Sequence, residues 1–466
     1  MPAPQPNRKH ESKIPRLVST LLDWFLQNAR NLPWRHTHDP YAIWISEIML
    51  QQTQVKTVIP YWERWMRELP TIQAAASASP ARIHKLWEGL GYYTRVRNLQ
   101  KAAQQIVEMQ YSHLNSCRRR GNESQTKKKP KTPHVVSYKF PDNFDDVLAL
   151  PGIGRYTAGA ICSIAFNQPA PILDGNVIRV LTRVFGIGEN PREKKTNARL
   201  WQIAEGMVLH ASRFTHHVSR PKARTRDEDE NEDEKAYACS HLNQSLMELG
   251  ALVCTPRNPQ CEICPVKKLC VAFRQNRVED LPNLGKREAA TARYFVAFVV
   301  ERNGRFLVRQ RPAGIVNAHL WEFPNVEVAA GILPAVEPGV PPGGKNADTF
   351  KPVKISRKIP GGKMPPSMAG GTPATTRLAH AAKQLGLEPH NAKPLCTVKH
   401  SITRYRITLE AFHVRFGGRS ATTPKPPAQA RSARPSENNG VWLTPAKLDL
   451  LAFTSAHRKI LGALKT

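Results

Sequence analysis

Cys254, Cys261, Cys264 and Cys270 fall within seventeen residues in the spacing C-x6-C-x2-C-x5-C, and no other feature narrows what this chain can fold into as much. Thiols packed this tightly do not make an ordinary set of disulfides. The stretch MPAPQPNRKHESKIPR has no apolar core and reads as no signal peptide. The expected compartment is therefore reducing, where clustered thiols are metal ligands before they are disulfides. Four thiolates can surround one small inorganic centre, and ligation by four cysteines is what an iron–sulfur cluster requires. Zinc is the rival, although its fingers usually repeat C-x2-C pairs across a longer loop. The other four cysteines, Cys117, Cys162, Cys239 and Cys396, stand alone.

A chain of 466 residues suits roughly two to three domains. Lys plus Arg is 68 and Asp plus Glu is 37, so the formal charge is 68 − 37 = +31. Such an excess favours a polyanionic partner, of which nucleic acid is the usual one; a merely cationic soluble protein is the alternative. The apolar stretch at residues 294–300 falls far short of the ~20 residues that span a bilayer. Membrane and secreted classes are excluded on this reading, and a cytoplasmic, DNA-associated protein is expected.

Residues 14–273 carry a helical pattern. Leu17, Leu21, Leu22 and Phe25 recur at three- and four-residue spacing, as do Ile43, Trp44, Ile48 and Met49, and Val177, Val180, Leu181 and Val184. Two insertions interrupt it, at about 112–139 and 217–236. The first holds a basic run at 118–131, expected to be a loop, and the second an acidic run at 227–234, expected to stay solvated. A linker is expected at 276–292. Beyond it the period changes to that of strands: YFVAFVV and RFLVRQR flank Arg302, Asn303 and Gly304, a hairpin turn. After a Pro/Gly-rich stretch at about 331–372 come a short helix near Leu378 and strands at 395–400 and 405–414. The reading is an all-helical first domain and a smaller α+β second one.

Leu150, Pro151, Gly152, Ile153 and Gly154 join two helical segments. Glycines let a backbone approach a ligand closely, and the next helix begins with free N–H groups that suit a phosphate oxygen. A helix–hairpin–helix DNA grip and a plain helix-joining turn both fit. Asp174 precedes another helix, either as an ordinary N-cap or as a carboxylate held ionised close to DNA. Glu47 stands among apolar neighbours in WISEIML, where burial should raise its pKa and keep a proton available near neutrality.

Hairpin, Asp174 and cysteine spacing, in this order, resemble the helix–hairpin–helix DNA glycosylases of the endonuclease III superfamily. Within it, LPWRHTHDPYAIWISEIMLQQTQVKTVIPYWERW, GLGYYTRVRNLQKAA and NQSLMELGALVC closely match MutY-type adenine DNA glycosylases. The resemblance implies a mainly α, two-lobed glycosylase domain over 1–275 with a [4Fe-4S] loop held by the four cysteines. It implies a Nudix-like α+β lesion-recognition domain over 293–466. The implied activity is hydrolysis of adenine from double-stranded DNA, opposite 8-oxoguanine or guanine, by a monomer. Glu47 would protonate adenine at N7, and Asp174 would stabilise the oxocarbenium-like sugar, with Tyr156 and Asn176 supporting Asp174. The bifunctional relatives carry a Schiff-base lysine at the position of Tyr156, so strand cleavage is not expected.

The same resemblance places Gly152, Ile153 and Gly154 on the DNA backbone. Gln52, Thr53, Leu90 and Tyr92 fall at positions that wedge into the base stack and contact 8-oxoguanine. Arg30, Leu32, Trp34, Arg35, Val55 and Glu248 line the pocket for the flipped adenine. In the second domain no acidic Nudix box follows RFLVRQRPAGIVNAHLWEFPNVEV, so pyrophosphate hydrolysis is not expected. Thr403 would supply a lesion-contacting hydroxyl, and Arg404 replaces an aromatic donor found in many relatives. The rivals are a thymine or uracil mismatch glycosylase and a non-catalytic iron–sulfur DNA-binding protein.

Overall fold

The computed structural model describes residues 12–120, 139–215, 237–285, 289–328, 373–385, 392–402, 404–416 and 440–465. Helix α1 (Ile14–Asn28) buries Leu17, Val18, Leu21 and Phe25, the stripe that three- and four-residue spacing predicts. Asp39 opens α2 (Pro40–Leu50) by accepting from the N–H groups of Tyr41 and Ala42 at 3.1 and 3.3 Å. Every residue of α2 from Tyr41 to Met49 is buried, so this helix is covered on all sides and carries Glu47 into the interior. Helices α3 (Val55–Glu68), α4 (Thr94–Arg120), α5 (Arg155–Phe166), α6 (Gly175–Phe185), α7 (Lys194–Thr215) and α8 (Ala238–Leu252) follow, with short helices between them. Helix α8 packs on α1, α5, α6 and α7, while α2 packs on α3 and α5. One apolar core joins α1, α5, α6, α7 and α8 through residues such as Leu21, Val177, Leu181, Met207 and Leu246.

Two close approaches set the site. Gly152 has φ +79, and a Cβ there would lie 2.5 Å from the Cβ of Asn98, so the hairpin admits only glycine at this point. Gly250 lets α8 press against the start of α6, where a Cβ would fall 2.6 Å from the Cβ of Asn176.

The chain divides into two compact units, Met1–Arg287 and Glu288–Thr466. The expected linker is in part a packed segment: Leu281 is buried against Cys270 and Ala272, and its carbonyl accepts from Arg183 Nε at 2.9 Å. The basic insertion is entered by α4, whose backbone stays helical to Arg120. Most of the rest of that insertion, the acidic run and the Pro/Gly-rich stretch lie outside the described residues.

In the second unit β1 (Thr291–Arg302) and β2 (Arg305–Gln310) meet at Asn303 (φ 51) and Gly304 (φ 68), both left-handed as a tight two-residue hairpin requires. With β3 (Trp321–Glu322), β4 (Asn325–Val328), β5 (Ala392–Ile402), β6 (Tyr405–Phe416) and β7 (Val441–Leu443) they form a sheet of path β3-β2-β1-β6-β5. Strand β1 runs parallel to β6, and β4 and β7 pair with β1 and β2. Val296 to Val300 are all buried because helices cover both faces of the sheet. Val296, Phe298 and Val300 meet α9 (Pro373–Gln384), and Ala297 and Val299 meet α10 (Pro445–Leu450) and α11 (Ser455–Lys465). The three short strands β3, β4 and β7 carry too few residues for the period-2 pattern to single them out. Among the described residues no helix is long and apolar enough to cross a membrane.

Gly250→Ala is expected to destabilise the first unit by about 1–3 kcal/mol through overpacking against Asn176, and to slow any reaction that uses Asp174. Gly175→Ala, where an added Cβ meets nothing within 4 Å, is expected to leave the melting temperature unchanged or raised. Thermal melts of the two variants side by side check the contrast.

Candidate active site

Glu47 sits in the last turn of α2, 5% exposed. The Tyr156 hydroxyl, from the first turn of α5, donates to Glu47 Oε2 at 2.9 Å and lies 3.2 Å from Met247 Sδ. Burial raises the Glu47 carboxyl to about 7; the tyrosine bond and Arg35 oppose the rise, and the charge of Asp174 adds to it. Asp174 caps α6, accepting from Val177 N–H at 2.7 Å and from Asn176 Nδ2 at 3.0 Å. Two departures from expectation follow. Tyr156 donates its bond to Glu47 and not to Asp174, leaving Asn176 as the side chain that holds the aspartate. Burial also moves Asp174 upward from its ordinary value, outweighing the cap bonds and Arg179 that favour its ionised form.

Glu248 is 1% exposed and is clamped by two guanidiniums. Arg30 Nε and Nη2 donate to its two oxygens at 2.6 and 2.7 Å, and Arg35 Nη2 donates at 2.9 Å. Burial alone would raise this carboxyl, but the two forks together bring it down to about 2. Leu32 and Trp34 are buried, Trp34 edge-on to Trp62 at 6.0 Å, so packing accounts for much of their surface. Val55 opens α3 and is half-buried.

Gln52 and Tyr92 are exposed and both hold left-handed backbone, at φ 58 and 47. Thr53 is half-buried beside them. Leu90, expected in the wedge, is 5% exposed, whereas Tyr92 two residues on is 44% exposed. In the hairpin, Ile153 is buried and Gly154 caps α5 without a side-chain acceptor, leaving first-turn N–H groups for a ligand. Thr403 lies outside the described residues.

Sequence reasoning missed Arg179 and Arg183. Arg179, 8% exposed, donates to Asn176 Oδ1 (2.8 Å), Gly250 O (2.6 Å) and Cys254 O (2.6 Å). Arg183, 2% exposed, donates to Thr255 O (2.8 Å) and Cys254 Sγ (3.3 Å). The available signal was two arginines inside the apolar run VIRVLTRV, a cost that burial statistics allow only for paired charges.

Cys254, Cys261, Cys264 and Cys270 border one pocket whose walls include Val180, Leu249 and Val266. All four cysteines thus face one shared space, and four thiolates around one space are the donor set that an iron–sulfur cluster takes. Burial pushes the Cys264 thiol up to about 12 and moves Cys261 and Cys270 upward, so thiolates there need the positive charge that iron supplies.

The family model described as HhH-GPD superfamily base excision DNA repair protein matches residues 45–205. The iron-sulfur binding domain of endonuclease III matches residues 254–270. Fold and site thus define a base-excision repair protein of the helix–hairpin–helix class with a [4Fe-4S] cluster, which the four cysteines of the matched segment would hold. The adenine DNA glycosylase of Rattus norvegicus is 36% identical over 357 residues, covering 66% of this chain and 59% of its own length. That of Homo sapiens is 32% identical over 503 residues, 96% of this chain and 74% of its own length. The chain belongs to the adenine DNA glycosylase family, although it spans only about three-fifths of the length of the rat relative. The solved structure of a thermostable thymine-DNA glycosylase has a TM-score of 0.42 at 26% identity, over 57% of this chain and 98% of that one.

Two outcomes are expected. The raised Glu47 carboxyl binds its proton more tightly in the folded than in the unfolded protein. Its stabilisation is therefore present below the ordinary value of 4.5 and lost as pH rises through about 7. Glu47→Gln removes a burial cost on the order of 3 kcal/mol at pH 8 and almost none at pH 4. Calorimetry at both pH values should show the variant melting above the parent only at the higher one. Arg183→Leu leaves the carbonyls of Thr255 and Leu281 without their donor, costing about 2–5 kcal/mol. Iron content per chain after gel filtration should fall in that variant.

Proposed function

We propose that this chain is an adenine DNA glycosylase. It hydrolyses the N-glycosidic bond of adenine opposite 8-oxoguanine or guanine in duplex DNA, acting as a monomer and without a lyase step. The observation that carries this reading is the buried Glu47 carboxyl, raised to about 7 and hydrogen-bonded by the Tyr156 hydroxyl, beside a second carboxylate on a helix cap. An acid that holds its proton near neutrality is what protonation of adenine N7 needs.

The C1′–N9 bond breaks and its electron pair leaves with adenine as the Glu47 proton arrives at N7. The cation left on the sugar faces Asp174, which Asn176 and the Val177 N–H hold in place. Water then adds to C1′ and gives up a proton to the emptied Glu47 carboxylate, so protons balance over the cycle. Tyr156 carries no amine, so no Schiff base forms there and the backbone stays intact.

Glu248 with Arg30 and Arg35 forms a fixed charged wall suited to the extruded base. The net charge of +31 and the open N–H groups after Gly154 suit a phosphate backbone. The second unit is read as Nudix-like and lesion-sensing: its mixed sheet lies between helices and carries Arg404 at the β5–β6 turn.

The test is single-turnover base release from duplexes holding adenine opposite 8-oxoguanine or thymine opposite guanine, with and without alkali. Adenine release, with strand breaks only after alkali, is the expected result, and Asp174→Asn should bind the duplex yet release nothing. Thymine release, or breaks without alkali, refutes the proposal.

A further inference from the structure

We infer that Arg95 is a positioning residue that locks the Gln52 and Tyr92 loops into one unit, so that both engage a damaged base-pair step together. The inference rests on reading those two residues as DNA contacts. Arg95 Nη1 donates to the main-chain oxygens of Ile48 (2.9 Å), Met49 (3.0 Å) and Gln51 (2.6 Å). Its Nη2 donates to those of Leu90 (3.0 Å) and Gly91 (3.1 Å).

The first set belongs to the end of α2, whose last carbonyls have no partner within the helix and attract a cation. The second belongs to the loop that presents Tyr92, and the guanidinium also lies over the Tyr92 ring at 5.7 Å. Each loop has a non-glycine residue in left-handed backbone immediately after a carbonyl that Arg95 holds: Gln52 after Gln51, and Tyr92 after Gly91. Such conformations cost about 1–3 kcal/mol each and persist only where the surroundings over-determine them. A planar fork with two separately aimed nitrogens can do this for two loops at once. A lysine ammonium, a single point on a flexible stem, cannot.

The experiment measures Kd for duplexes carrying a non-hydrolysable adenine analogue opposite 8-oxoguanine or guanine. The proteins are the parent, Gln52→Ala, Tyr92→Ala and the double variant, each with and without Arg95→Lys. With Arg95 present, each single change should weaken binding about tenfold or more. The double change should depart from the product of the singles by about threefold or more. Arg95→Lys should bring the set to within about twofold of multiplicative and erase most of the preference for 8-oxoguanine.

Coupling and preference that survive Arg95→Lys overturn the inference while the loop reading stands. If Gln52→Ala and Tyr92→Ala bind like the parent, the loop reading falls and this inference with it. Should Arg95→Lys not fold, native-state hydrogen exchange of the parent decides: the amides of 51–53 and 90–92 should open as one unit with the same free energy, and separate openings refute it.

Discussion

The guanidinium of Arg179 sits where three segments meet, and the rest of the site depends on it. It donates to Asn176 at the aspartate cap, to Gly250 on α8 and to Cys254 at the entrance of the cysteine loop. Losing that donor would cost about 1–3 kcal/mol at the buried Gly250 oxygen and less at the partly exposed oxygens of Asn176 and Cys254. One side chain therefore sets the distance between the carboxylate cap and the loop that carries the cluster. The absence of a side chain at Gly250 completes the arrangement, since the helix backbone must come within contact distance of Asn176.

Two buried glutamates show how the same burial yields opposite acids. Glu47 and Glu248 are both almost wholly screened from water, so desolvation pushes each upward. Glu248 receives four bonds from two guanidiniums and ends at about 2, fixed as an anion. Glu47 receives one hydroxyl and a more distant charge, and ends at about 7, where it can give up a proton. Separation of acidities between two buried carboxyls is the physical basis for proposing a proton donor at one and a permanent charge at the other. The Arg183 bonds to Cys254 and Thr255 bind the cysteine loop to α6.

The second unit is organised by a different rule. Its central strand is buried along five consecutive residues because helices cover both faces of the sheet, an arrangement that needs no alternation of polar and apolar side chains. That is why YFVAFVV was readable as a strand by composition and by its turn, whereas β3, β4 and β7 were not. Each is short, and each pairs with a longer strand.

The sequence alone carried the local facts. Cysteine spacing, helical periodicity, the glycine hairpin and an acid among apolar neighbours are all set within a few residues of one another, and each has a local physical cause. Tertiary structure decided what depends on distant residues meeting. Tyr156 turns to Glu47, burial rather than the cap governs Asp174, Leu90 is buried, and the arginines of α6 and α4 find carbonyls far away in the chain. These outcomes follow from burial and from long-range pairing, and both come into being only when the helices pack.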